Sequence, residues 1–398
     1  MKVVQINFSC TWGSTGKICD SVSKLLTKKD IENYTFYIYG GNPQEHENYI
    51  RYGNLPYSKF QALKSRVFGN YGFNSLLATK WLIKKLDVIK PDIVHVHNIH
   101  GHDCHFEKLF SYLKSKNIKV FYTFHDCWAF TGYCPHFAMA KCDNWLSGCG
   151  NCVLRRRYSW FFDRSAVNFK RKRRALQGLD LTIITPSEWL ANLVKQSFLN
   201  EYSVQVINNG IDLSIFKPTD SDFRQKHHLE GKKIVLGVSM GWSKAKGIDV
   251  FIKLAQQLPE EYKLILIGTD DKVDKILPSN IISIHRTQNQ KELAEIYSAA
   301  DLFVNPTREE NYPTVNMESI ACGTPVLTFR TGGSPEMLDE TCGSVVDCDD
   351  IDALEKEIIR ICTDKPYSKE ACITKAKGFD KNERFKEYLR LYDRIIIG

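Results

Sequence analysis

Three observations in the sequence predict an α/β chain of two domains, each a parallel sheet covered by helices. Short apolar runs rich in Val and Ile alternate with longer helical patterns, as parallel strands joined by crossover helices require. A length of 398 residues makes two domains the natural division. Turn chemistry at Asn208-Asn209-Gly210-Ile211-Asp212, then Phe216-Lys217-Pro218, separates two series of such runs.

The first series predicts strands at Val3–Phe8, Thr35–Tyr39, Ile93–His97, Val120–His125 and Leu181–Thr185. The second opens near Val204–Ile207 and continues with Ile234–Ser239, Lys263–Ile267, Ile281–His285, Leu302–Asn305 and Pro325–Phe329. Near-continuous apolar strands imply sheets covered on both faces, with functional groups gathered at the carboxyl ends. Those ends read Asn98, His125-Asp126, Ser239, Gly268-Thr269 and Pro306-Thr307. Past Asp380, the spacing of Phe385, Tyr388, Leu389, Leu391 and Tyr392 predicts an amphipathic helix. The expected divisions are 1–207, 208–380 and a terminal helix over 381–398.

A composition of 43% hydrophobic and 25% charged residues excludes a disordered or collagen-like chain. No apolar run approaches the roughly 20 residues of a bilayer span, and Met1–Phe8 turns polar too soon for a signal peptide. A cytoplasmic protein is expected, and its 13 cysteines then read as reduced thiols or metal ligands. The net charge is +8, and the stretch Arg155–Arg174 alone carries seven Arg and two Lys against Asp163. The rest of the chain balances to neutral.

The most informative segment runs from Asn305 to Pro325. A strand ends at Asn305, a loop carries Glu309-Glu310, and Thr314 is placed to cap a helix that stops at Gly323. Amides at that helix start, those of Tyr312, Thr314 and Val315, form a site for phosphate with a positive dipole end behind them. Glu310 lies just outside the helix and Glu318 about one turn inside it, so both can border a sugar-bearing ligand.

Here the sequence resembles the retaining glycosyltransferases of family-4 type. The Glu-x7-Glu pair is met by Glu310 and Glu318, followed by Ala321-Cys322-Gly323-Thr324-Pro325-Val326, Gly332-Gly333 and Glu336. Further matches are Gly13-Ser14-Thr15-Gly16, Thr123-Phe124-His125, Asn209-Gly210-Ile211-Asp212 and Lys246-Gly247, in order along nearly the whole chain. The resemblance implies the GT-B architecture: two Rossmann-like doubly wound domains facing across a cleft, with a C-terminal helix returning to the first.

The same resemblance implies roles. Glu310 contacts the donor sugar, Glu318 the nucleotide ribose, and Lys246 the donor diphosphate, where a fixed cation stabilises the leaving group's growing charge. Gly13 and Gly16 let backbone amides approach the donor, and His125 stands beside the sugar. His97 and Asp126 are acceptor-side candidates. Two departures stand out. Gly241 replaces the usual Arg five residues before Lys246, which makes Lys244 the substitute cation, and Pro313 removes one amide after Glu310. No cofactor or catalytic metal is expected. The implied partners are a UDP- or GDP-sugar and a glycan or lipid-linked acceptor, with no nucleic acid.

Cys134, Cys142, Cys149 and Cys152 lie in an insert near 127–152 that must be held together somehow. A closed structural zinc site and buried free thiols both fit the spacing, ahead of disulfides. The basic band 155–174, interleaved with Tyr158, Trp160, Phe161 and Phe162, suits an anionic membrane surface. A peripheral enzyme on the inner face of the cell membrane is therefore expected. Two other readings compete: a sugar-nucleotide epimerase of the same architecture, and a nucleic-acid-binding module built on the cysteines and the basic band.

Overall fold

The computed structural model describes residues 1–40 and 47–397, with side chains through Arg394; residue 398, the expected end of the terminal helix, lies outside them. The chain forms two units, Met1–Asn208 with Phe385 onward, and Asn209–Arg384.

Among the described residues the first unit holds a seven-stranded sheet of β1 (Lys2–Ile6), β2 (Glu32–Tyr37), β3 (Tyr49–Arg51), β4 (Ile93–Val96), β5 (Lys119–Thr123), β6 (Leu181–Thr185) and β7 (Ser203–Val206). All neighbours pair in parallel in the order β3-β2-β1-β4-β5-β6-β7. The second unit holds a six-stranded parallel sheet of β8 (Lys233–Val238), β9 (Tyr262–Ile267), β10 (Ile281–Ile284), β11 (Leu302–Asn305), β12 (Val326–Phe329) and β13 (Gly343–Val346). Its order is β10-β9-β8-β11-β12-β13. Both sheets are doubly wound: order reverses between β1 and β4 in one and between β8 and β11 in the other, and a crevice opens at each reversal.

Alternation along the strands builds a core on each face. On β8, Ile234 and Leu236 enter one apolar cluster while Val235 enters the other. On β1, Val4 and Ile6 face the cluster of Phe106, Phe110 and Trp128, whereas Val3 faces Ile18, Val22 and the terminal helix. That helix, Lys381–Ile397, buries Phe385, Tyr388, Leu389 and Tyr392 on the first unit. At the base of the second unit its two chain ends are tied together. Ile211 bridges Asp380, the Lys381 amide donates to the Ile211 carbonyl at 2.9 Å, and Lys381 pairs with Asp212 at 2.7 Å.

Two expectations are corrected. The strand expected near Val204–Ile207 does not open the second series; as Ser203–Val206 it forms the edge of the first sheet, paired with β6. The helix after Glu310 begins at Thr314 itself, with Pro313 in the capping position and no side-chain cap. Proline fits there because the first-turn amides have no intrahelical acceptor to lose.

The insert is closed by means the cysteine spacing did not suggest. Trp128, Phe130, Phe137 and Trp145 join the main core of the first unit. Lys172, 0% exposed, reaches in from the Ser165–Leu176 helix, donates to the carbonyls of Trp128 at 2.5 Å and Thr131 at 2.9 Å, and lies 3.5 Å from the Trp128 ring centre. The thirteen cysteines stand as thiols, not joined in disulfides. Among the described residues, the group that brings three ligand atoms within 4.8 Å of one another is Asp271, Asp274 and His285, on the surface; Cys134, Cys142, Cys149 and Cys152 do not meet that distance. Burial pushes Cys134 up to about 12 and Cys152 up to about 11, which favours protonated thiols. No role is derived from a metal at these four thiols.

Candidate active site

In the second unit the reversal between β8 and β11 places two loops side by side. The loop after β8 makes one turn of 3-10 helix, Lys244–Lys246, before the helix Ile248–Gln257. The loop after β11 carries Thr307 to Glu310 and leads into the helix Thr314–Ala321. The Lys246 Nζ lies 2.6 Å from Glu310 Oε2. Their side chains are 36% and 23% exposed, so the pair is open to a ligand.

Arg308 holds the two loops in register. Its amide donates to the Ala245 carbonyl at 2.8 Å, and its guanidinium donates to the Lys244 carbonyl, to both oxygens of Asp249 at 2.8 and 3.0 Å, and to Asp349 at 2.6 Å. Burial opposes ionisation of Asp249, but Arg308 beside it outweighs that and holds the carboxyl below its ordinary value. A planar fork satisfied on every side is a fixed strut rather than a free cation. Lys244 itself is exposed on the turn.

The helix Thr314–Ala321 starts beside the ion pair, and its first amides, including those of Thr314 and Val315, have no acceptor within the helix. Tyr312 is 7% exposed and its ring belongs to the core, so its backbone is what a ligand could meet. Glu318 accepts from the Tyr297 hydroxyl at 3.3 Å and remains partly open. The geometry offers a cation and a carboxylate in contact near a helix start, with a second carboxylate, Glu318, further along that helix, which suits a phosphate ester bearing hydroxyl groups.

In the first unit, Gly13 opens the helix Gly13–Lys28, and Gly16 is buried on the turn at Ser9. His95 on β4, His97 just after it and His125 just after β5 form a continuous stack. His95 shares hydrogen bonds with Tyr392 at 2.5 Å and Thr123 at 2.8 Å; its ring centre lies 3.9 Å from that of His97. His97 Nδ1 is 3.3 Å from His125 Nε2. Because His97 is 1% exposed, an acceptor would meet it only through His125, and its contacts make it a support for that ring. Asp126 is likewise engaged on both oxygens, by His100 at 2.8 Å and by the Trp128 amide at 2.8 Å. Burial raises its pKa, but His100 more than compensates and brings it down to about 2.

Two sequence profiles match the chain: Glycosyltransferase Family 4 over residues 20–215 and Glycosyl transferases group 1 over residues 219–379. The chain belongs to the family-4-type glycosyltransferases. It is 24% identical to a protein of Escherichia coli (strain K12), WcaC, named as a glycosyl transferase of colanic acid biosynthesis, over 99% of this chain and 100% of that one. Its fold is similar to that of sucrose-phosphate synthase from Thermosynechococcus elongatus, with a TM-score of 0.71 at 16% identity over 100% and 99% of the two chains. It is equally similar to Anabaena Alr3699/HepE in complex with UDP, with a TM-score of 0.71 at 15% identity over 99% and 100%.

In this glycosyltransferase the structure brings Lys246, Glu310, Thr314, Val315 and Glu318 together in one unit, and His97, His125 and Asp126 together in the other. Arg308 went unread in the sequence, because its partners Asp249 and Asp349 lie 59 and 41 residues away and no local spacing announces them.

The histidine stack has a consequence for stability. Burial pushes His95 down to about 3 and both His102 and His125 down to about 4, and drives His97 well below its ordinary 6.5. Between about pH 6.5 and 4 the unfolded glycosyltransferase therefore binds more protons at these sites than the folded one, and stability falls as pH drops through that window. Asp103 opposes this, because burial raises it to about 6 and the folded state takes up its proton first. Four histidines outweigh one carboxyl, so Tm at pH 5 is expected below Tm at pH 7. A melting temperature that holds or climbs on acidification would refute the neutral stack.

Proposed function

We propose that this glycosyltransferase moves a hexose from a UDP- or GDP-sugar to a glycan or lipid-linked acceptor, with retention at the anomeric carbon. The observation that carries the proposal is the partly exposed Lys246–Glu310 pair near a helix start that has no side-chain cap. An arriving donor exchanges partners with that pair: its diphosphate takes Lys246 and the helix amides, and its hydroxyls take Glu310. Glu318 accepts from the ribose. As the glycosidic C–O bond breaks, the nucleoside diphosphate leaves with the electron pair. The acceptor oxygen bonds to the same face of the sugar, and its proton passes to a phosphate oxygen of the donor. His125, neutral and held by His97, orients the sugar as the family resemblance implies. This chemistry calls on no catalytic metal, and Lys246 supplies the charge that the leaving group needs.

Support also comes from relatives. The E. coli relative carries a name from polysaccharide biosynthesis, and Anabaena HepE of the same fold is solved with UDP. We place the enzyme on the cytoplasmic face of the membrane; no described helix is long and apolar enough to cross one. Neither profile match favours an epimerase or a nucleic-acid-binding module.

Thermal-shift screening against UDP, GDP and their sugars tests the donor. The right nucleotide at a hundred times its Kd adds about 2.7 kcal/mol of stability. No stabilisation by any nucleotide sugar would refute the reading, and consumption of a sugar nucleotide without release of a nucleoside diphosphate would favour the epimerase.

A further inference from the structure

The helix Leu55–Phe68 is inside out. Its buried residues are Ser58, Gln61 and Ser65, whereas Phe60, Leu63 and Phe68 are 58%, 49% and 47% exposed. On the inward polar face Ser65 accepts from Asn74 at 2.7 Å and shares a hydrogen bond with His102 at 3.1 Å, whereas Ser58 Oγ and Gln61 Oε1 are buried without a partner. Phe60, Lys64 and Phe68 are spaced by four residues and so lie along one outward stripe. Water gives no reason for such a reversal.

A second apolar segment is joined to this helix. Trp160, Phe161 and Phe162 are 52%, 63% and 51% exposed, and the Trp160 amide donates to the Arg66 carbonyl at 2.7 Å. Tyr133 donates to the carbonyls of Gly69 at 3.1 Å and Phe162 at 3.4 Å, locking the helix end to the aromatic loop. The two segments therefore form one rigid face. Of the exposed large hydrophobic residues among those described, all but Met240 and Ile276 belong to this unit.

Charge identifies what covers the face. Residues 48–86 carry seven Lys and Arg and no Asp or Glu, and residues 153–162 carry three Arg and no acid. By contrast, the carboxyl half of the 155–174 band is partly withdrawn: Lys172 is buried and Arg171 pairs with Glu107. Exposed aromatics among uncompensated cations fit the headgroup layer of an anionic bilayer. A second copy of the chain would bring the same positive charge against itself.

We propose that the Leu55–Phe68 helix and the Arg155–Phe162 loop together form the docking face of this enzyme for an anionic lipid surface. The proposal rests on the membrane reading above and defines the surface responsible. Its test is co-sedimentation of the full chain with phosphatidylcholine vesicles, with and without about a third phosphatidylglycerol. Wild type is expected to bind only the anionic vesicles, with the bound fraction falling at high salt. Phe60→Ser/Leu63→Ser is expected to lower the partition constant about tenfold or more. Arg155→Gln/Arg156→Gln/Arg157→Gln is expected to lower it about a hundredfold. Wild-type binding by the helix variant, binding to neutral vesicles alone, or dimerisation through this face without vesicle binding would each overturn the proposal. Circular dichroism and the nucleotide thermal shift, measured on the same variants, confirm folding. A normal nucleotide shift with no vesicle binding would remove this face and leave the transferase reading standing.

Discussion

Glu310→Ala and Lys246→Ala are each expected to lower turnover about a hundredfold or more, the usual effect of removing a group that stabilises transition-state charge. Both side chains stand at the mouth of the β8–β11 crevice, 2.6 Å apart. On the proposed reading, Lys246 without its partner still meets the donor diphosphate while the sugar loses its carboxylate acceptor; without Lys246, the departing nucleoside diphosphate loses its fixed cation. Neither change should unfold the protein, because a partly exposed ion pair contributes no more than about 1 kcal/mol. Measured kcat, donor Kd and Tm separate these effects. Glu318→Ala, which touches Tyr297 and by resemblance the ribose, should weaken donor binding more than it slows the chemical step. Near-normal turnover in either Glu310→Ala or Lys246→Ala would defeat the site assignment.

The second large effect is expected at Gly332. A Cβ there would sit 2.0 Å from the Glu310 carbonyl oxygen and 2.8 Å from its carbonyl carbon, at a φ of +56°. Backbone cannot yield as a flexible side chain can, so Gly332→Ala must push the Glu310 loop aside. Left-handed backbone costs about 1 kcal/mol and overpacking about 1–3 kcal/mol, which together lower Tm by several degrees. Donor binding should fall with it, because the displaced loop carries Glu310. Gly13→Ala is the control: its φ is +69° but nothing lies within 4 Å of the added carbon, so only the backbone term applies. Equal losses of stability at the two glycines would refute the close-approach argument.

Parallel strands buried on both faces announce themselves as apolar runs, which is why most of the strands and the loops at their carboxyl ends were legible in the sequence. Ser203–Val206 was assigned to the wrong sheet because its burial is partial and its connection passes through the same turn-rich stretch that divides the chain. Glu310, Glu318 and Lys246 were singled out by motif spacing, but the contact of Lys246 with Glu310 was not, since it depends on two loops separated by a strand reversal. The helix Leu55–Phe68 went unread for a different reason: its large apolar residues point outward, where such residues ordinarily mark the core face. Averaging hid its charge, because a neutral remainder outside residues 155–174 conceals seven uncompensated cations in residues 48–86. Lys172 read as one more cation of the membrane-facing band, although two carbonyls and an indole hold it in the core.

The bridge between Ile211 and Asp380 makes the second unit a cassette with adjoining ends, threaded into a host that resumes at Phe385. Excision of residues 209–384 as a contiguous fragment should thus be tolerated far better than simple truncation after residue 208. That truncation would strip Tyr388 and Tyr392 from the remaining sheet and expose His95. A stand-alone host calls for a short artificial splice from Asn208 to Phe385, because the helix that completes its sheet follows the cassette in sequence.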